Sequence, residues 1–311
     1  MKEINKIVIA GAGVMGSSLA QIFAQYGYKT VVFYRNEKSK EKSIELINTN
    51  QRGSVNNKIL SPDESKQLVS NISFSNNKEC FKTADVVIET IAENMEVKHS
   101  FWKEISSVVK EEAILTTNTS GLSITEISKA VHMPERFCGF HWVNPPHIVP
   151  LVELIRGEKT EEEVINQVYE LAKSVGKKPI ILQKEAPGFV LNRFQYAILR
   201  EAMHIVDNGI CSISDIDNVF KYGLGMHYAA IGPFETADLG GLDTFLSISE
   251  YLFKELADEK EVSNLLKNLV LNGQYGVKSE SGFYDYSNGK DVEAIVNRDE
   301  KFFEIAKCLY E

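Results

Sequence analysis

Long apolar runs are missing from this 311-residue chain; none reaches the roughly 18 residues that a membrane-spanning helix needs. A basic excess is missing as well. Lys and Arg number 34 against 43 Asp and Glu, and the net charge of -9 argues against non-specific binding to nucleic acid. Cysteine is scarce: Cys80, Cys138, Cys211 and Cys308 lie far apart, without metal-ligand spacing, and read as reduced thiols. The six histidines include no HExxH pattern, so no metal site is expected. No internal repeat and no low-complexity segment is present. A strand is predicted within three residues of Met1, which leaves no room for a signal peptide; a cytoplasmic protein is expected, and the sequon at Asn118 then carries no weight.

What is there is ordinary globular material, 43 % hydrophobic and 25 % charged, in a length that suits two domains. Ile4 to Ala10 is a short β-branched run that reads as a buried parallel strand. A helix is predicted from Met15 to Tyr26, a strand over Thr30 to Tyr34, and a helix from Glu37 to Gln51. Ser61-Pro62-Asp63-Glu64 reads as the cap of another. Further strands are predicted at 72–75, 86–88, 114–117 and 138–141. Strands alternating with helices imply an α/β domain with a doubly wound parallel sheet, of Rossmann type, over residues 1–185. From 186 to 311 the pattern becomes all-helical, with helices expected at 189–208, 214–222, 242–256 and 262–272. Ser214, with Asp217 three residues on, is read as a capping box.

Gly11, Gly13 and Gly16 form GAGVMG between the first strand and first helix, with Val14 and Met15 inside the turn. In that context the glycines permit a tight turn, close approach of backbone to a pyrophosphate, and close packing of helix on strand. A dinucleotide site is therefore expected. The second strand ends Tyr34-Arg35-Asn36, where NAD-binding sheets normally carry an acid. A guanidinium suits a 2′-phosphate, so the cofactor is read as NAD(P), leaning towards NADP. Two alternatives stay open: Glu37 takes the ribose, or Arg35 points into solvent while NAD binds.

Asn118 and Ser120 follow an apolar strand at the end where ligands collect, although such residues are more often helix caps. In FHWVNPPHIVPLVEL, His141 precedes Glu153 by twelve residues, across an Asn-Pro-Pro turn. A lone histidine after a strand is commonly structural. A carboxylate between Val152 and Leu154, however, needs a partner, and His141 is the simplest one. Together they make a general base and the group that orients it. The remaining histidines read as surface or core, with His147, which follows the Pro-Pro turn, kept as the exception.

Several stretches resemble the L-3-hydroxyacyl-CoA dehydrogenase family: GAGVMG, IAENMEVK from Ile91, NTSGLSIT from Asn118, FHWVNPPHIVPLVE from Phe140, APGFVLNR from Ala186, GPFETADLGGLDT from Gly232, and GFYDY from Gly282. The resemblance implies His141 as base, Glu153 as its partner, and Ser120 and Asn192 on the substrate carbonyl. It implies Glu93, Lys98 and Lys278 at the cofactor, which Asn118 could also meet from its strand end, and a helical, dimer-forming second domain. Two departures stand out. Arg35 replaces the family's ribose-binding aspartate, and the segment that carries its CoA-binding lysines offers only Arg52 and Lys58. The expected activity interconverts a short (S)-3-hydroxyacyl-CoA and its 3-oxoacyl form. The alternative is a dehydrogenase of a free 3-hydroxy acid, as in the similar L-gulonate and carnitine dehydrogenases. A non-catalytic redox sensor is a third reading, against which the set Ser120, His141, Glu153 and Asn192 argues.

Overall fold

The computed structural model describes residues 3–56 and 58–310. The chain divides into two compact units, residues 1–193 and 194–311. The first is built from β1 (Lys6–Ala10), α1 (Val14–Gln25), β2 (Lys29–Phe33), α2 (Glu37–Asn56), α3 (Pro62–Ser70), β3 (Ile72–Ser75) and β4 (Val86–Glu89). It continues with α4 (Met95–Ile105), β5 (Ile114–Thr117), α5 (Ile124–Ser128), β6 (Phe137–Trp142), β7 (Leu151–Arg156), α6 (Glu162–Ser174) and β8 (Lys178–Leu182).

The strands form one sheet in the order β3-β2-β1-β4-β5-β6-β7-β8. Neighbours are parallel except β6 and β7, which are antiparallel. The alternation of β1 explains why it sits at the centre. Ile7 and Ile9 face a core with Leu19 and Phe23 of α1 and Val168 of α6. Val8 and Ala10 face a second core with Trp102, Ile105, Ile127 and Phe137. A strand covered on both sides has to be apolar at every position, and Ile7, Val8, Ile9 and Ala10 have no exposed surface. Each of the Ile and Val side chains contributes roughly 1.5–3 kcal/mol by leaving water.

The predicted strands and caps of this unit are present, including the Ser61 capping box with Glu64. Sequence reading missed β7 and β8. Residues 186–193, expected in the second unit, pack with the first because Phe189 is buried there and the Val190 and Leu191 N–H groups donate to Glu153.

The second unit is helical: most of α7 (Leu191–Asp207), then α8 (Ile213–Val219), α9 (Gly225–Ala230), α10 (Pro233–Gly240), α11 (Leu242–Leu252), α12 (Asn264–Leu271) and α13 (Lys290–Tyr310). Its second helix is capped by Ser212, which accepts from the Asp215 N–H. The expected Ser214 cap is thus corrected by two residues, because Ser212 holds the extended backbone that a cap requires. Among its described residues Ala257 is the one buried hydrophobic, while Phe234, Leu271, Tyr222 and Phe253 are each more than two-thirds exposed. No described helix is long and apolar enough to cross a membrane.

Candidate active site

The glycine turn follows β1 at the carboxyl edge of the sheet. Gly11 has φ +130°, and a Cβ there would lie 2.6 Å from Thr90 Oγ1. A Cβ on Gly16 would stand 1.9 Å from the Gly11 carbonyl oxygen, so the helix can pack this close only without one. Gly13 caps α1 and has open space where its Cβ would be. No side chain caps the helix and no acid lies in its first turn, which leaves its N-terminal N–H groups to an outside acceptor. Val14 is exposed and Met15 half-buried beside them. This cradle fits the pyrophosphate of a dinucleotide.

Past the end of β2, Arg35 is exposed. Glu37 is engaged already: it accepts from Tyr34 Oη at 2.8 Å and from Lys40 Nζ at 3.1 Å. The Tyr34 hydroxyl first, and Lys40 second, hold its carboxyl below the usual range.

At the ends of β4 and β5 lies a polar network inside the protein. Glu89, wholly buried, accepts from Lys98 Nζ at 2.7 Å, from Thr117 Oγ1 at 2.7 Å and from the Ile91 N–H at 2.8 Å. Lys98 is 1 % exposed and lies 3.4 Å from Glu93 as well. Glu93 in turn accepts from the Thr119 hydroxyl and, at 2.9 Å, from the Ser120 N–H. Lys98 is thus joined to the Ser120 backbone through Glu93. Ser120 itself is exposed, and its carbonyl accepts from Asn192 Nδ2 at 2.7 Å. Asn118 uses its Oδ1 to accept from the Trp142 N–H at 2.8 Å, which fixes the residue after His141.

His141 and Glu153 face each other across β6 and β7, Nδ1 to Oε2, at 2.7 Å. Burial pushes the Glu153 carboxyl up, but the bond from His141 and the N–H groups of Leu191 and Val190 outweigh it and hold the group below its ordinary value. An anionic Glu153 fixes the proton on Nδ1 and leaves Nε2 as the nitrogen that can take another. The His141 ring packs at 5.5 Å from that of Phe189.

The first unit therefore gathers the glycine turn, Glu93, Lys98, Asn118, Ser120, His141, Glu153 and Asn192. Lys58 sits exposed in the turn after α2, and Lys278 belongs to the second unit, in the short turn Val277–Ser279. Sequence reading missed Glu89 and Thr117. The signal for Glu89 was present, since an acid closing the apolar strand VVIE needs a buried partner just as Glu153 does.

A family model for the 3-hydroxyacyl-CoA dehydrogenase NAD binding domain matches residues 6–186, and that for the C-terminal domain of the same enzymes matches 188–286. The chain belongs to the 3-hydroxyacyl-CoA dehydrogenase family. It is accordingly an NAD-dependent oxidoreductase. A probable 3-hydroxybutyryl-CoA dehydrogenase of Bacillus subtilis is 38 % identical over 91 % of this chain and 98 % of its own. The 5-formyl-3-hydroxy-2-methylpyridine 4-carboxylate 5-dehydrogenase of Mesorhizobium japonicum is 30 % identical over 98 % of both chains. Among solved structures, an enzyme of the latter name, described as an NAD+ dependent dismutase, superposes with a TM-score of 0.91 at 30 % identity over 99 % of both chains. The (S)-3-hydroxybutyryl-CoA dehydrogenase of Ralstonia eutropha reaches 0.78 at 34 % identity, over 92 % of this chain and 100 % of its own.

Proposed function

We propose that this family member interconverts a short-chain (S)-3-hydroxyacyl-CoA and its 3-oxoacyl-CoA. The observation that carries the chemistry is the 2.7 Å bond from His141 Nδ1 to an anionic Glu153, on the sheet whose carboxyl edge holds the glycine turn. NAD, held by Gly11, Gly13 and Gly16 with Val14 and Met15, supplies the hydride acceptor. In the oxidative direction His141 Nε2 takes the hydroxyl proton as the hydride leaves the same carbon, and Glu153 balances the imidazolium that results. Ser120 and Asn192 bind the carbonyl oxygen and steady its charge. Glu93 holds Ser120 in place, and Lys98 holds Glu93. The choice between NAD and NADP turns on Arg35, exposed beyond the end of β2, whose guanidinium suits a 2′-phosphate.

A second reading has a specific observation behind it: the substrate is a free hydroxy acid. The pyridine carboxylate dehydrogenase matches the chain over nearly its full length, whereas the 3-hydroxybutyryl-CoA enzyme of Ralstonia eutropha covers 92 %. In addition, the groove along α2 sets Glu41 and Glu45 beside Arg52, so the arginine that a CoA phosphate would need lies next to two carboxylates. Oxidation of NADH and NADPH with acetoacetyl-CoA, run beside free acetoacetate and an aromatic aldehyde acid, separates the readings. Turnover of the thioester supports the first; turnover of the free acids alone supports the second.

The exposed apolar side chains of the second unit support a homodimer through that unit. The four free cysteines fit a cytoplasmic location.

A further inference from the structure

Lys177 has no part in the chemistry described above. It precedes β8, is 8 % exposed, and makes no ion pair with any described carboxylate. A buried ammonium without a counter-ion is costly and therefore rare. Burial alone pulls its pKa down to about 8.

Its partners are backbone carbonyls. Lys177 Nζ donates to Pro146 O at 2.6 Å and to Val149 O at 3.0 Å, and it lies 5.7 Å from the centre of the Trp142 ring. Pro146 and Val149 belong to the eight-residue connection 143–150, which joins the strand of His141 to the strand of Glu153. That connection contains Pro145, Pro146 and Pro150, so it is short of N–H donors of its own. The Pro145 carbonyl is met by the N–H groups of Ile148 and Val149, and the Pro150 carbonyl by the N–H of Lys178. The carbonyls of Pro146 and Val149 are met by the lysine.

We propose that Lys177 is a positioning residue for the His141–Glu153 pair: its ammonium staples the proline-rich connection to the sheet and so fixes the two strands that present the pair. Asn118 holds the Trp142 backbone and Lys177 faces the Trp142 ring, so the residue next to His141 is gripped on two sides. The contacts of Lys177 are with the hairpin backbone and the Trp142 ring, and it acts through them.

The inference rests on the dyad reading given above, and the test separates the two. Protein with 15N-labelled histidine shows a low-field Nδ1–H resonance for the bond to Glu153, assigned by its absence in His141→Gln. In Lys177→Met this resonance broadens or moves while NADH binding stays within about twofold. With whichever substrate the wild type turns over, kcat falls roughly ten- to hundredfold, as expected of a displaced base. Lys177→Arg, which keeps a cation with several donors, restores both. If Lys177→Met loses thermal stability yet keeps the resonance and kcat, the lysine is packing only and the proposal is overturned. Equal loss in Lys177→Met and Lys177→Arg overturns it too, because shape and not donation then matters. Where Lys177→Met does not fold, Lys177→Gln takes its place with the same readouts and outcomes. A His141→Gln enzyme with normal turnover would sink the dyad reading instead, whatever Lys177 does.

Discussion

His141 and Glu153 occupy opposed positions of β6 and β7, so twelve residues of separation close into a 2.7 Å bond. The antiparallel turn of the sheet is what makes this possible, since a parallel crossover would carry the carboxylate to the far side of a helix. Removing the imidazole should therefore stop the proton transfer without disturbing the cofactor cradle at β1. In His141→Gln, kcat should fall by ~10²–10⁴-fold. NADH affinity, followed by fluorescence titration, should be unchanged. Near-normal turnover would place the base elsewhere.

The same pair links stability to pH. Glu153 is held below its ordinary value of 4.5 in the folded protein. In that window the unfolded chain binds the extra proton, so stability rises with pH there. The contribution is complete above 4.5 and is lost as pH falls through the lower folded value. Urea unfolding of the wild type and Glu153→Gln should show a gap at pH 7 that narrows below pH 4.5. A gap independent of pH down to 3 would mean that the carboxylate's charge is not what stabilises.

Much of this was legible in the chain. Glycine spacing after a β-branched run located the glycine turn, and the acid in PLVEL pointed to its histidine, because both signals are local. The antiparallel strand β7 was not legible, since the apolar residues around Glu153 suit a helix core or a strand equally well. Lys177 was silent for a different reason, whereas Glu89 carried a signal of the same kind as Glu153. A lysine in the polar turn Gly176-Lys177-Lys178 shows nothing of its burial until the segments around it are placed, and its partners are carbonyls, which no sequence spells out. Gly188 and Phe189 looked like the start of the helical unit, whereas Phe189 belongs to the first core.

The glycine turn makes two substitutions behave differently. A methyl on Gly16 would meet the Gly11 carbonyl at 1.9 Å, so Gly16→Ala should separate α1 from β1 and lower both Tm and NADH affinity. Gly13 has ordinary extended backbone, with φ -85° and ψ -172°, and empty space at its Cβ. Gly13→Ala should then keep Tm while weakening NADH, because the methyl enters the approach to the helix N-terminus. Equal effects of the two on Tm would contradict this assignment of roles.

The buried pair of Glu89 and Lys98 should show the asymmetry of ions removed from water. Taking away one partner strands the other, at a cost of about 3–5 kcal/mol. Lys98→Met and Glu89→Leu should each fall in that range by urea unfolding. The double substitution should cost less than their sum, because it leaves no orphan charge. Additive losses would show that the two side chains do not depend on each other.

Cofactor choice is the last matter that one side chain should decide. Arg35 stands exposed beyond β2, at the place where an acid would otherwise take the adenosine ribose. Glu37 is the nearest substitute, but its oxygens already accept from the Tyr34 hydroxyl and Lys40. A ribose would share the carboxylate with these donors, while an incoming 2′-phosphate would meet an exposed guanidinium. Arg35→Asp should thus lower the ratio of kcat/KM for NADPH over NADH by about tenfold or more, the factor that one charge-assisted hydrogen bond of about 1.5–3 kcal/mol supplies. Steady-state rates with the two reduced cofactors measure it directly. If the ratio does not move, the guanidinium faces water in the working enzyme and the ribose is read by Glu37.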